Sequence, residues 1–186
     1  MAEPLEKALS AHKSALDYAR EMVGKTPSDA DLRAYLRGEH LDPRKHDWCA
    51  AFVNTSLAKA GIEGSGSQMA TGFLNWGKHV DPKDVKAGDV VVLGTDEGGI
   101  FVKPKPGMYG HSAIATGPPV KRTQAGVDDW WEQPAVMGAW HHHVAKGDMI
   151  VSGEGEGEVI AEYRRPPPSH HAQKYMLTVH MHAKMK

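Results

Sequence analysis

The sequence predicts an α+β fold, and two observations carry this prediction. Up to Gly77, apolar side chains recur every three or four positions, which is the spacing of amphipathic helices. After Gly77, short β-branched runs alternate with glycine and proline, which is typical of an antiparallel sheet. The chain has 186 residues, 40% of them hydrophobic, so it is long enough for one domain with a buried core.

Four helices are predicted in the N-terminal part, and each ends at a glycine, a frequent helix stop. The third has Asp47 as its expected N-cap and carries the chain's one cysteine, Cys49, in its first turn. The predicted helices cover residues 5–23, 28–37, 48–60 and 69–76.

The C-terminal part is predicted to form strands. Residues 118–148, between the second and third strands, exceed the length of a hairpin turn and contain three tryptophans and three histidines, so we interpret them as an insertion with a lid or binding role. We expect a single domain over residues 1–166 and an extension over residues 167–186. The predicted strands cover residues 89–94, 111–117, 148–153, 158–165 and 175–181.

Composition argues against several function classes. Lys plus Arg number 22 against 23 for Asp plus Glu, so no overall positive field favours nucleic acid as a partner. No apolar run is long enough to span a membrane, and the N-terminus lacks the features of a secretory signal, so synthesis in the cytoplasm is expected. A lone cysteine can form neither an internal disulfide nor a cysteine-based zinc site.

Cys49 is a candidate nucleophile because of its position. A thiol attacks only as the thiolate, which needs a local positive potential, and the free N–H groups of a first helical turn supply one. Catalysis also needs an imidazole to accept the thiol proton. His111 opens a predicted strand directly after a turn, which makes it the candidate base.

The motifs around these two residues resemble a known family. "DWCAAFVN", a following "GSGS" and "NWG", then "GDVVVL" and "GHSAIATG" occur in order over residues 46–117, and "EYRRP" follows later. This pattern resembles the CHAP and NlpC/P60-type cysteine peptidases and amidases of the papain-like superfamily, in particular a subgroup associated with phages and bacteria. The resemblance implies a papain-like CHAP-type domain, in which a helix bearing the nucleophile packs on a small antiparallel sheet bearing the histidine.

The resemblance also assigns roles to residues. Cys49 matches the nucleophile, His111 matches the base, and Glu154 stands where the subgroup has an asparagine that orients the imidazole. Glu156 is the alternative for this third role. Trp48 and Trp76 are interpreted either as core residues or as walls of a substrate groove; in the second case they would bind substrate. Asp89 is assigned to the turn that enters the first strand.

The activity implied by the resemblance is peptidoglycan hydrolysis. The scissile amide would be the muramoyl–L-alanine link or a bond within the peptide stem, and no cofactor is expected. The protein would act in the periplasm or cell wall after delivery by a holin, a virion or a secretion device. The oligomeric state is left open.

Two alternatives remain open. The chain has 12 histidines, and those at 111, 141–143, 170–171, 180 and 182 could be the zinc ligands of a metal-dependent amidase. No motif as specific as HExxH is present. A cell-wall-binding module without catalysis is the second alternative, because the expected asparagine stretch is missing.

Overall fold

A computed structural model describes residues 12–97, 100–102, 110–136, 149–151 and 158–170. Its helices pack on an antiparallel sheet, which confirms the predicted α+β class. None of the described helices is long and apolar enough to cross a membrane.

The first described helix, α1, is Ala15–Arg20 and begins later than predicted. Ser14 caps it, because the Ser14 hydroxyl accepts from the Asp17 N–H at 3.1 Å and the Asp17 carboxylate accepts from the Ser14 N–H at 2.9 Å. Residues 12–14 are not helical, so the predicted continuous helix from residue 5 is wrong at this point. Residues 1–11 lie outside the described part.

The second helix, α2, is Ala30–Tyr35, and a 3-10 turn over Leu36–Glu39 continues it. The predicted stop at Gly38 is wrong because His40 ends the segment instead, with a left-handed φ of 53°. Histidine is one of the few non-glycine residues that adopt this conformation with any frequency.

The third helix, α3, is Cys49–Lys59. The prediction that Cys49 lies in its first turn is confirmed, whereas Asp47 is not the cap, because Trp48 occupies the N-cap position. Gly61, with a φ of 72°, follows the helix end as predicted. The predicted fourth helix is a 3-10 segment, Ala70–Asn75, which contains a glycine and is too short to gain from α-helical propagation.

The described residues contain eight strands, all in antiparallel pairs, in the order β1-β8-β2-β4-β6-β5, with β3 paired to β2 and β7 paired to β6. They are β1 Lys78–His79, β2 Val90–Glu97, β3 Ile100–Val102, β4 His111–Ala115, β5 Val120–Gln124, β6 Val127–Val136, β7 Met149–Val151 and β8 Glu158–Arg165.

The predicted insertion at 118–148 contains two strands, β5 and β6, that the sequence pattern did not predict. Strands β5 and β6 form a hairpin, and the end of β6 pairs with β4 through Ile114 and Val136. The expected lid or binding role of this segment stays a prediction. The expected strand at 175–181 lies outside the described residues.

The central strands are buried on both faces. One face packs against the helices, including α3, and carries Val90, Val92, Ile114 and Val136. The opposite face forms a second apolar cluster, made of Val80, Val85, Val91, Leu93, Ala113, Ala115, Ala135 and Tyr163. Because side chains alternate along a strand, this division determines which way each side chain of β4 points.

An ion pair between the partly exposed Arg165 and the buried Asp89 joins the end of β8 to the turn before β2. The Asp89 side chain is 1% exposed and accepts from Arg165 Nε at 2.9 Å and Nη2 at 3.0 Å. It also accepts from the Lys86 N–H at 2.9 Å, which fixes the turn that enters β2. Asp89 therefore has the structural role that the sequence predicted.

Arg165→Ala tests this ion pair. It leaves the buried Asp89 carboxylate without its guanidinium partner, so we expect the free energy of unfolding to fall by about 2 kcal/mol in urea denaturation. Arg44→Ala is the matched control, since Arg44 makes a similar two-bond pair with Asp42 at the surface. The control should not measurably change stability. Equal losses in the two variants would contradict the role given to Asp89.

Candidate functional site

Cys49 is the first residue of α3 and is 8% exposed. The side chain of the N-cap residue, Trp48, does not cap this helix end, because its indole has no acceptor. The first helical bond runs from the Phe52 N–H to the Trp48 carbonyl at 2.8 Å. The sulfur therefore lies at the positive end of an 11-residue helix with uncapped N–H groups.

The sulfur also lies against the start of β4. The N–H and hydroxyl of Ser112 and the N–H of Ala50 each favour its thiolate form. Burial has the larger, opposite effect, and the Asp47 carboxylate adds to it, so the pKa of the Cys49 thiol is raised. Burial therefore favours the thiol over the thiolate in the resting protein, in contrast to the expectation from the helix position alone.

His111 is the first residue of β4 and is 3% exposed. It stands opposite Leu93 in the β2–β4 register, so its side chain is on the face of the second apolar cluster. Ser112 stands opposite Val92, on the face that carries the helices. The structure thus brings the backbone of β4 to the sulfur but directs the His111 and Ser112 side chains to opposite faces. The base role of His111 stays a prediction.

The two candidate substrate-binding tryptophans differ in exposure. Trp48 is buried in the core, with its ring edge-on to Phe52 at 5.9 Å. Trp76 is half-buried, and its Nε1 donates to the Glu63 carbonyl at 3.0 Å. Trp48 therefore fits the core interpretation, while a groove role for Trp76 stays a prediction.

The candidates for the third catalytic role, Glu154 and Glu156, lie outside the described residues. So do the histidines at 141–143, 171, 180 and 182 on which the zinc alternative depends. Within the described residues, no three His, Cys, Asp or Glu side chains are grouped so as to hold a metal ion. The zinc alternative stays an untested prediction.

The "GSGS" stretch of the resemblance is a loop anchored on α3. The buried Asn54 side chain accepts from the Ser65 N–H at 2.8 Å and donates to the Ser67 carbonyl at 2.8 Å. A Cβ at Gly64 would lie 2.3 Å from Asn54 Oδ1, so this position requires glycine as long as that network is kept. The motif therefore supports the helix that carries Cys49.

Sequence reasoning missed Ser112 as the neighbour of the sulfur. A serine inside the apolar run "HSAIA" carries no signal of its own. The signal that could have identified it is the two-residue period of the strand, which places Ser112 and Ile114 on one face. Using that period requires knowing which face meets α3.

Comparison with known proteins adds no relative. No protein-family model matches the chain, and no curated protein and no solved structure matches it. The resemblance to a known family therefore stays a prediction, based on the ordered motifs around Cys49 and His111.

The pH dependence of Cys49 alkylation tests the described site. Because burial raises the thiol pKa, the iodoacetamide rate of the native protein should reach its midpoint at a higher pH than the rate of the urea-unfolded chain. Ser112→Ala removes a hydroxyl that favours the thiolate and should move the midpoint higher still.

His111→Ala is the informative comparison for the same measurement. With the imidazole on the opposite face, this variant should leave the resting profile unchanged. The opposite result would be an alkylation midpoint at a lower pH in the native protein than in the unfolded chain, with His111→Ala raising the native midpoint. It would show a preformed thiolate–imidazolium pair and contradict the described geometry.

Proposed function

We propose that this protein is a cysteine-dependent amidase or peptidase of the papain-like CHAP and NlpC/P60 type that hydrolyses bacterial peptidoglycan. The observation that supports the proposal is the position of Cys49, at the uncapped N-terminus of a buried helix and against the first residues of a strand. The same positions bear the nucleophile and the histidine in the family that the motifs resemble.

In the proposed reaction, His111 accepts the Cys49 proton and the sulfur attacks the carbonyl carbon of the scissile amide. In the proposal, the N–H groups beside the sulfur, those of Ala50 and Ser112, also stabilise the negative charge that develops on the attacked group. Protonated His111 gives its proton to the leaving amine. Water then hydrolyses the thioester, which releases the acid product and restores the thiol.

This reaction requires the His111 side chain to reach the helix face. A strand side chain reaches the opposite face only if the backbone changes, so this step needs a backbone change at the start of β4. Gly110, directly before His111, has no Cβ and allows such a change. In the proposal, the turn of the imidazole toward Cys49 accompanies substrate binding and overcomes the effect of burial on the thiol pKa.

A second candidate function is a cell-wall-binding module that does not hydrolyse its ligand. It is favoured by two observations: burial raises the pKa of the Cys49 thiol, and the side chain of His111 lies on the far face of β4. A protein in which both features persisted on binding would hold a peptide without cleaving it.

The proposed substrate fixes where the protein would work. Peptidoglycan lies outside the cytoplasmic membrane, so the enzyme would act in the periplasm or cell wall. Delivery by a holin, a virion or a secretion device would bring it there, as for an endolysin or a bacteriolytic effector. No cofactor takes part in the proposed reaction.

The test is release of soluble fragments from purified sacculi, followed by mass spectrometry. Wild-type protein should release fragments whose new termini identify the cleaved amide. Cys49→Ala and His111→Ala should each lower the rate at least about 100-fold, because each removes a group that takes part in bond cleavage. Lys45→Ala, at an exposed position outside the site, should keep full activity.

The outcomes separate the candidates. Activity retained by Cys49→Ala, with its thermal melting unchanged, would contradict the nucleophile, and loss on chelation in that variant would favour zinc chemistry. Binding of wild-type protein to sacculi with no fragment release would favour the binding module.

A further inference from the structure

A second feature of the surface lies in the segment that leads from α2 to α3. Here an open cleft of about 340 Å³ is lined by Arg33, Arg37, His40, Leu41, Asp42 and Pro43. Two of these residues carry guanidinium groups. The site described above uses none of these six residues.

The charge of the cleft is positive. Its lining carboxylate, Asp42, accepts from Arg44 Nε at 3.0 Å and Nη2 at 2.9 Å, and this guanidinium holds the pKa of Asp42 well below its usual range. The Asp42 charge is thus already matched by Arg44. Hydrogen bonds from Thr26 and the nearby charges of Lys25 and Arg33 lower the pKa of Asp29, so part of the Arg33 charge acts on that carboxylate. Arg37 is left to act on a ligand.

The two arginines are held differently. Arg33 Nη1 donates to the Pro27 carbonyl at 3.0 Å and to the Ser28 carbonyl at 2.5 Å, which fixes its guanidinium at the edge of the cleft. Arg37 is exposed, and its side chain makes no hydrogen bond or ion pair with the part of the chain that the structure describes. An oxyanion could therefore be bound by one preorganised and one available guanidinium.

The backbone and floor of the cleft add two features. His40 has a left-handed φ of 53°, a conformation that costs free energy in a non-glycine residue and turns the chain from the 3-10 segment into the cleft wall. Leu41 and Pro43, which follow, are buried and give the cleft an apolar side. A ligand that fits has a negative group for the arginines and an aliphatic part for Leu41 and Pro43.

We propose that this cleft binds the free side-chain carboxylate of an acidic peptide. Carboxylates match the planar guanidinium group, and the aliphatic part of a peptide side chain fits the apolar wall. Cys49 follows Pro43 by six positions, so the two lie at most about 22 Å apart even for a fully extended chain. Backbone bonds from Lys45 and His46 to the Asp42 carbonyl, at 3.0 and 3.2 Å, shorten this separation.

At this upper limit, an extended peptide of about six residues is long enough to occupy the cleft and reach the sulfur. In that role the cleft holds an acidic residue of the substrate while a neighbouring amide lies at Cys49. This substrate role depends on the proposed function, whereas carboxylate binding by the cleft does not.

The test is an NMR titration of the full-length protein with two capped tripeptides, acetyl-Ala-Glu-Lys-amide and acetyl-Ala-Gln-Lys-amide. The glutamyl peptide should bind about tenfold more tightly, because only its side chain is ionised, and should shift the amide signals of Arg37, His40 and Leu41. Arg37→Gln should remove most of this preference. Lys83→Gln, which deletes an equal charge at an exposed position away from the cleft, should change the affinity by less than about twofold.

Three results would overturn the proposal: equal binding of the two peptides, equal losses in Arg37→Gln and Lys83→Gln, or inorganic phosphate binding to the same residues as tightly as the glutamyl peptide. The last would identify a general anion site. Because the titration measures binding alone, its outcome is independent of whether Cys49→Ala abolishes hydrolysis.

Discussion

The packing of α3 against one face of the central sheet is the contact on which the rest of the site depends. Phe52, Val53 and Leu57 of the helix share a buried cluster with the apolar residues on that face of β2 and β4. This contact fixes the position and direction of α3 on the sheet. It therefore also fixes the position of the Cys49 sulfur, because Cys49 is the first residue of α3. It also fixes which residues of β4 can meet the sulfur, because strand side chains alternate between faces.

Two effects compete at the sulfur as a result. The helix end and the start of β4 surround it with N–H groups that stabilise a thiolate, and the same packing removes the water that would solvate the charge. In the resting protein, the effect of burial, which raises the thiol pKa, is larger than that of the N–H groups, which lower it. A reactive thiol therefore needs a further change, and His111 is the residue whose movement would supply it, since a nearby imidazolium would shift the balance toward the thiolate. The fold thus brings backbone N–H groups to the sulfur, while His111, the proposed proton acceptor, is on the opposite face of β4.

The sequence predicted the α+β class, the place of Cys49 in the first turn of α3 and the positions of β2, β4 and β8, because the apolar periods and glycine stops there are strong. The sequence also predicted an α-helix where the structure has the 3-10 segment Ala70–Asn75. The spacing of three apolar residues there fits an α-helix as well as a 3-10 helix. The sequence could not assign the face of His111. In "DVVVLG" and "HSAIATG" both faces are apolar or small, so the sequence does not show which face meets the helices.

In the proposed reaction, the sulfur of Cys49 forms and breaks a covalent bond to the substrate. The most direct measurement is mass spectrometry of the intact protein after brief incubation with sacculi and an acid quench that preserves thioesters. We expect an added acyl fragment of peptidoglycan on the peptide that contains Cys49. This fragment should be absent when the protein is incubated alone. Release of cleaved fragments at full rate, with Cys49 unmodified at every time point and reactive toward iodoacetamide throughout, would contradict the proposed reaction.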